Sequence, residues 1–125
     1  MIVKLPFPSP ELMPNRKNGK SWHGSQAAKA AARDGAYYAT KQAVGAWKPS
    51  GDRIPVSIVF VPPDGRRRDL DNLLAAAKAQ IDGIALALGV DDRRFAPLLI
   101  DQVPAQKPGC MIVAVGVEIR SGVNL

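Results

Sequence analysis

A run of charged residues in the middle of the chain has the residue types needed for metal-dependent chemistry on phosphates. Three arginines, Arg66, Arg67 and Arg68, directly precede the aspartates Asp69 and Asp71. Two carboxylates about 5 Å apart repel by about 3 kcal/mol at an effective dielectric of about 20, so a fold that keeps them together normally supplies a cation. The arginines could supply it as a surface ion network, and a divalent metal could supply it as a reaction centre. Spacing alone does not decide between the arginines and a metal as the cation, because D-x-D also occurs in phosphatases, in sugar transferases and at helix caps.

A metal centre built from these aspartates would need further groups from elsewhere in the chain. Mg²⁺ prefers oxygen ligands and keeps several waters, so two or three carboxylates suffice without His or Cys. A second acidic pair, Asp91 and Asp92, could provide the third carboxylate. Such a metal would polarise a phosphate and lower the pKa of a bound water, and Lys78 is the candidate to steady the developing negative charge.

The charge balance of the whole chain favours a polyanionic partner. Seventeen Lys and Arg against eleven Asp and Glu give a net charge of +6, which points to nucleic acid first and to an anionic membrane surface second. Two basic segments could contact DNA phosphate: the loop residues Arg16, Lys17 and Lys20, and the row of Lys29 and Arg33 on the following helix. No apolar run is long enough to span a membrane, no glycine-rich nucleotide loop is present, and the single cysteine permits no internal disulfide. We therefore expect a cytoplasmic protein with neither a membrane partner nor a nucleotide cofactor.

The elements that must position these residues follow from periodicity. Residues 1–125 are expected to form one domain. Alternation and β-branched residues predict strands at 2–5, 54–61, 98–103 and 110–120, the first of them at a sheet edge. Helical patterns predict one helix from Ser25, as N-cap, to about Trp47 and another from Leu70 to Leu88, with Asp69 as N-cap. The order β-α-β-α-β-β predicts an α/β (α+β) fold with two layers, a small mixed sheet and two helices.

The second helix creates a problem of reach. An unbroken helix over 70–88 would span about 27 Å and leave Asp92 far from Asp69 and Asp71. Either the helix ends near Gly83 and the chain returns, or Asp92 meets the other carboxylates across a subunit interface. We favour the first of these two arrangements.

The order of these residues resembles a known family. The run Pro63 to Leu74, which contains R-R-R-D-L-D-N, is followed by Lys78, Asp82-Gly83 and Asp91-Asp92, and the chain opens with the proline-rich run Leu5 to Pro10. Together these segments are similar to the RusA family of Holliday junction resolvases, which is common in phages and prophages. The resemblance covers most of the chain and is far more specific than D-x-D.

The resemblance implies a homodimeric crossover junction endodeoxyribonuclease of DNA recombination and repair, which nicks four-way or branched DNA symmetrically. It implies Mg²⁺, or Mn²⁺ in its place, as the cofactor, and Asp69, Asp71 and Asp92 as its ligands. Family members often carry the catalytic lysine four residues after the second aspartate, where this chain has Ala75, so Lys78 would have to replace it. Two rival functions remain: a non-catalytic protein that binds branched DNA, which the absence of that lysine favours, and a D-x-D phosphatase or sugar transferase.

Overall fold

The computed structural model describes residues 1–14 and 22–116, the side chains of 22–24 excepted. Arg16, Lys17 and Lys20 lie outside this part of the chain. The main elements, in chain order, are β1 (Ile2–Leu5), α1 (Trp22–Val44), β2 (Ile54–Val61), α2 (Leu70–Ala76), α3 (Lys78–Leu88), β3 (Phe95–Gln102) and β4 (Cys110–Val115). Short 3₁₀ turns occur at Pro10–Leu12 and Asp92–Arg94. None of the helices in the described residues is both long and apolar enough to cross a membrane.

The strands form one mixed sheet in the order β1-β4-β2-β3. Strand β2 is central and pairs antiparallel with β4 and parallel with β3, and β1 pairs antiparallel with β4 at one edge. Because β2 and β3 are parallel, the chain between them must cross over, and α2 and α3 form this crossover. The charged segment therefore lies where β2 ends and the crossover begins.

One face of the sheet and the helices enclose the core. Alternate residues of β1, β2 and β4 point to this face, since a strand directs every second side chain to the same side. They are buried against side chains from α1, α2 and α3. The core comprises Val3, Leu5, Ala36, Ile54, Val56, Ile58, Phe60, Leu73, Ala77, Ile84, Met111, Val113 and Val115. The expected two-layer α+β class with a mixed sheet is confirmed.

The helices differ from the sequence expectation in three ways. Helix α1 runs from Trp22 to Val44, so Ser25 lies inside it and is not its N-cap, and it ends before the expected limit at about Trp47. The predicted helix over 70–88 is two helices, because Ala77 has a ψ of −2° and separates α2 from α3. The expected end near Gly83 is wrong, since α3 continues to Leu88, where Gly89 in the left-handed region (φ 69°) ends it.

Gly83 serves helix packing instead of helix termination. A Cβ atom at Gly83 would lie 2.2 Å from the backbone oxygen of Arg33 and 3.1 Å from the Cβ of Ala36. Only a residue without a side chain permits this approach, so α1 and α3 are in backbone contact here. The contact fixes the separation of the two helix backbones at this point.

Two strands also have different limits from those expected. Strand β3 begins at Phe95, three residues before the predicted start at Leu98, and pairs there with Ile54 of β2. Strand β4 is described from Cys110 to Val115, and the remainder of its predicted range lies outside the described residues.

Candidate active site

The turn between β2 and α2 is held by a clamp of hydrogen bonds around Asp64. Its Oδ1 atom accepts from the backbone N–H of Arg66 at 3.0 Å and from Nη2 of Arg68 at 2.9 Å. Arg68 Nη1 also donates to the backbone oxygens of Asp64 at 3.1 Å and Arg66 at 3.2 Å. The Arg66 N–H and the Arg68 guanidinium lower the pKa of Asp64, because both favour its charged form.

The three arginines therefore have different roles. The side chain of Arg68 is only 14% exposed, and its guanidinium lies over the ring of Phe7 at 5.2 Å from the centroid. The Arg66 side chain is 84% exposed and is 3.8 Å from Asp64, and Arg67 is exposed as well. Arg66 and Arg67 are therefore accessible, and their contact with phosphate stays a prediction, whereas the Arg68 guanidinium is occupied in the turn.

Asp69 and Asp71 follow the turn at the start of α2. Asp69 occupies the N-cap position, as expected, but its side chain makes no capping hydrogen bond. Both aspartates are exposed, and no ion pair or hydrogen bond within the described part of the chain engages either carboxylate. Both carboxylates are therefore available to an external cation or ligand.

Lys78 begins α3 and lies between two other carboxylates. Its Nζ donates to Oδ1 of Asp82 at 2.6 Å and to Oδ2 of Asp92 at 2.5 Å. Asp82 is one helical turn further along α3, and Asp92 lies in the 3₁₀ turn that precedes β3. Asp82 first and Asp92 second raise the pKa of Lys78 by stabilising its ammonium form, so the side chain stays protonated at neutral pH.

The structure brings Asp92 to Lys78 within one chain. Among residues 1–14 and 25–116, however, no group of three or more His, Cys, Asp or Glu side chains is placed to hold a metal ion. The oxygen donors of Asp69 and Asp71 suit a hard cation such as Mg²⁺. Asp92 instead accepts from Lys78 through Oδ2, and the three carboxylates predicted as metal ligands are not gathered into one cluster among the described residues.

Two basic side chains of α1 border the same groove as Lys78. The groove has a volume of about 520 Å³, and we call it the basic groove. Lys29 and Arg33 of α1 line one side, and Ala75, Lys78 and Asp82 line the other. Arg33 also lies 3.4 Å from Asp34 in an exposed ion pair. Two of the predicted phosphate contacts therefore border the same space as the candidate catalytic lysine.

Sequence reasoning missed two features of this region. Asp82 was part of the resemblance but was assigned no role, although the i,i+4 spacing from Lys78 predicts the pair that the structure contains. The Asp64–Arg68 clamp has the same spacing, and Asp64 is the aspartate of the Pro63-Asp64-Gly65 turn, so the pair could have been predicted.

The chain matches no family model. It is similar to an uncharacterized protein of Xylella fastidiosa (strain Temecula1 / ATCC 700964), with 38% identity over 107 residues that cover 81% of this chain and 67% of the relative. The two proteins therefore share a domain of this kind, and the chain belongs to the family of that Xylella protein.

Proposed function

We propose that this chain is a RusA-type, Mg²⁺-dependent endonuclease that nicks four-way or otherwise branched DNA. The observation that carries the proposal is the contact between Lys78 and Asp92, which joins the two charged segments on which the resemblance depends. The exposed aspartates at the start of α2 and the exposed arginines before them support it, because metal-dependent hydrolysis of DNA uses carboxylates to hold the metal and cations to bind the phosphates.

Asp69 and Asp71 would hold the Mg²⁺ ion, and Asp92 would be the third carboxylate of the site, with its Oδ2 atom held by Lys78. The bound ion would supply a polarised phosphate and a water of lowered pKa. Arg66 and Arg67 bind the phosphates that flank the cut, because their side chains are exposed and carry permanent charge. Arg68 keeps the turn in shape through Asp64 and Phe7.

Lys78 contributes a positive charge and a hydrogen-bond donor to this reaction, and it does not act as a base. Its pKa is raised, so its ammonium form persists at neutral pH. An ammonium beside the cleaved phosphate stabilises the charge that develops on the phosphate oxygens. In this way Lys78 replaces the lysine that would stand at Ala75, and both residues line the basic groove.

Incubation of a labelled synthetic four-way junction with Mg²⁺ tests the proposal. Wild-type protein should yield nicked duplexes on a denaturing gel, and Asp71→Asn should yield none while still retarding the junction in EDTA. Asp52→Asn is the matched control, because Asp52 is an exposed acid in the loop before β2. Retardation without nicking by wild-type protein would support the non-catalytic alternative, and equal nicking by wild type and Asp71→Asn would refute the assignment.

We also propose that the active form is a two-fold symmetric dimer, because symmetric nicking of opposed strands needs two active sites. Edge strand β3 exposes Leu98 (43%) and Leu99 (38%), which makes it the candidate contact surface. Sedimentation equilibrium should find a dimer for wild type and a monomer for Leu99→Lys. Leu86→Lys, which changes an exposed leucine of α3, should remain dimeric.

A further inference from the structure

A second groove lies beside the candidate active site, between the turn after β2, the loop after β1 and the start of β4. We call it the proline groove, and its volume is about 840 Å³, within the usual range for small-ligand sites. Its lining comes from these three segments, from the end of β1 and from Asn72 of α2. Asn72 directly follows Asp71, so the groove adjoins the site proposed for cleavage.

The lining combines an apolar wall with a cationic rim. Five prolines, Phe7 and Met13 form most of the wall, and Lys4, Arg66 and Arg67 are exposed at the rim. Among the described residues of the lining, Asp64 is the one acid, and Arg68 donates a hydrogen bond to it. The groove therefore offers apolar contact to one part of a ligand and positive charge to another.

This combination fits an unpaired nucleotide better than a continuous duplex. A duplex keeps its bases stacked inside and presents phosphates and sugars, which would leave the apolar wall without a partner. An unpaired nucleotide carries a phosphate for the rim and a base whose apolar face can pack on proline rings or on an arginine plane. The amide of Asn72 can donate to and accept from the edge of that base.

We propose that the proline groove binds one unpaired nucleotide of a branched DNA substrate, with the base against the wall and the phosphate at Lys4, Arg66 and Arg67. The assignment rests on the proposed function, because branched DNA can carry an unpaired nucleotide at its branch point. It would favour substrates whose branch point contains unpaired bases over fully paired junctions.

Cys110 makes the groove directly testable, because it is the single cysteine of the chain and lines the groove. The rate at which Ellman's reagent modifies this thiol is measured in EDTA with three probes at equal phosphate concentration: a short oligodeoxythymidylate, the same backbone with abasic sites, and a blunt duplex. At about ten times its Kd, the oligodeoxythymidylate should slow the reaction about ten-fold, since only the unoccupied fraction reacts. The abasic strand and the duplex should leave the rate nearly unchanged. No protection by any probe, or equal protection by all three, would overturn the proposal.

Variants separate the groove from general charge attraction. Lys4→Ala and Arg67→Ala should each weaken protection by oligodeoxythymidylate several-fold, whereas Lys48→Ala removes the same charge outside the groove and should not. Equal weakening by all three variants would overturn the site.

The result is also distinguishable from failure of the proposed function. Protection of Cys110 without Mg²⁺-dependent nicking retains the groove and rejects the nuclease. Nicking without protection rejects the groove alone.

Discussion

The Nζ atom of Lys78 lies 2.5 Å from Oδ2 of Asp92, a residue fourteen positions further along the chain. The same ammonium lies 2.6 Å from Asp82, so two carboxylates share one cation. The chain reaches this arrangement because Gly89 ends α3 and the 3₁₀ turn at Asp92–Arg94 leads back towards β3. A contact between the two charged segments thus forms within a single chain.

Replacement of Lys78 by Met should reduce junction nicking about 10²- to 10³-fold, the usual effect of removing one donor that stabilises a developing charge. Methionine keeps the length of the side chain and removes its charge. Single-turnover nicking with saturating Mg²⁺ measures the effect, and Lys48→Met is the matched control outside both grooves. If Lys78→Met nicks as fast as the control, Lys78 has no part in the reaction.

Arg67 and Arg68 should respond to the same substitution in different ways. Arg67→Gln should leave stability unchanged and reduce the slope of log affinity against log salt by about one, as expected for a lost phosphate contact. Arg68→Gln should lower the free energy of unfolding by about 1–3 kcal/mol, because Asp64 loses its charged partner and Phe7 its covering group. Urea denaturation and salt-dependent anisotropy measure the two effects, and identical behaviour of both variants would contradict the division.

Two glycines of the paired helices should respond in opposite directions to alanine. Gly83→Ala should destabilise the fold by about 1–3 kcal/mol, because the new Cβ meets the Arg33 backbone oxygen and α1 must move away from α3. Gly35→Ala should stabilise it by about 0.5–1 kcal/mol, since its new Cβ would have no described atom within 4 Å beyond its own stretch of helix, and alanine is the better helix former. The difference is read from urea midpoints, and a neutral Gly83→Ala would show that the helices are not in backbone contact.

Asp91 should titrate far below an ordinary aspartate. The Arg93 side chain first and its backbone N–H second lower the pKa of Asp91 to about 2 from an ordinary value of 3.8. Because the folded pKa is depressed, the stabilisation from this pair is present above 3.8 and is lost as the pH falls towards 2. An NMR titration of the Asp91 carboxyl carbon measures the pKa, and Arg93→Gln should raise it; a wild-type midpoint near 3.8 would contradict the pairing.

The sheet was more predictable from sequence than the helices. Strands β1 and β2 have the expected limits, since a short apolar run ended by Pro6 and a β-branched run ended by Pro62 are local signals. The break at Ala77 could not be predicted, because alanine is the best helix former and the break accompanies complete burial of Ala77. Gly83 was misread as a helix end because sequence does not distinguish a glycine needed for packing from one needed for a left-handed cap.

The residues of the candidate site were predictable from sequence, but the hydrogen bonds and ion pairs between them were not. The sequence supplies the aspartates, the arginines and Lys78, yet it gives no means of separating Arg68 from Arg66 and Arg67. That separation depends on Phe7, which the loop after β1 brings to the turn. Likewise, the partner of Asp92 depends on the pairing of β3 with β2, which sets the position of the turn that carries Asp92.

The backbone contact at Gly83 has a consequence for how the basic groove can change. The two sides of this groove belong to different helices. Lys29 and Arg33 lie on α1, and Lys78 and Asp82 lie on α3. Rotamer changes can redirect these charges, but they cannot bring the helix axes closer, because the main chains already touch. The groove therefore has a minimum width set by a missing side chain, and any larger residue at this position could only widen it.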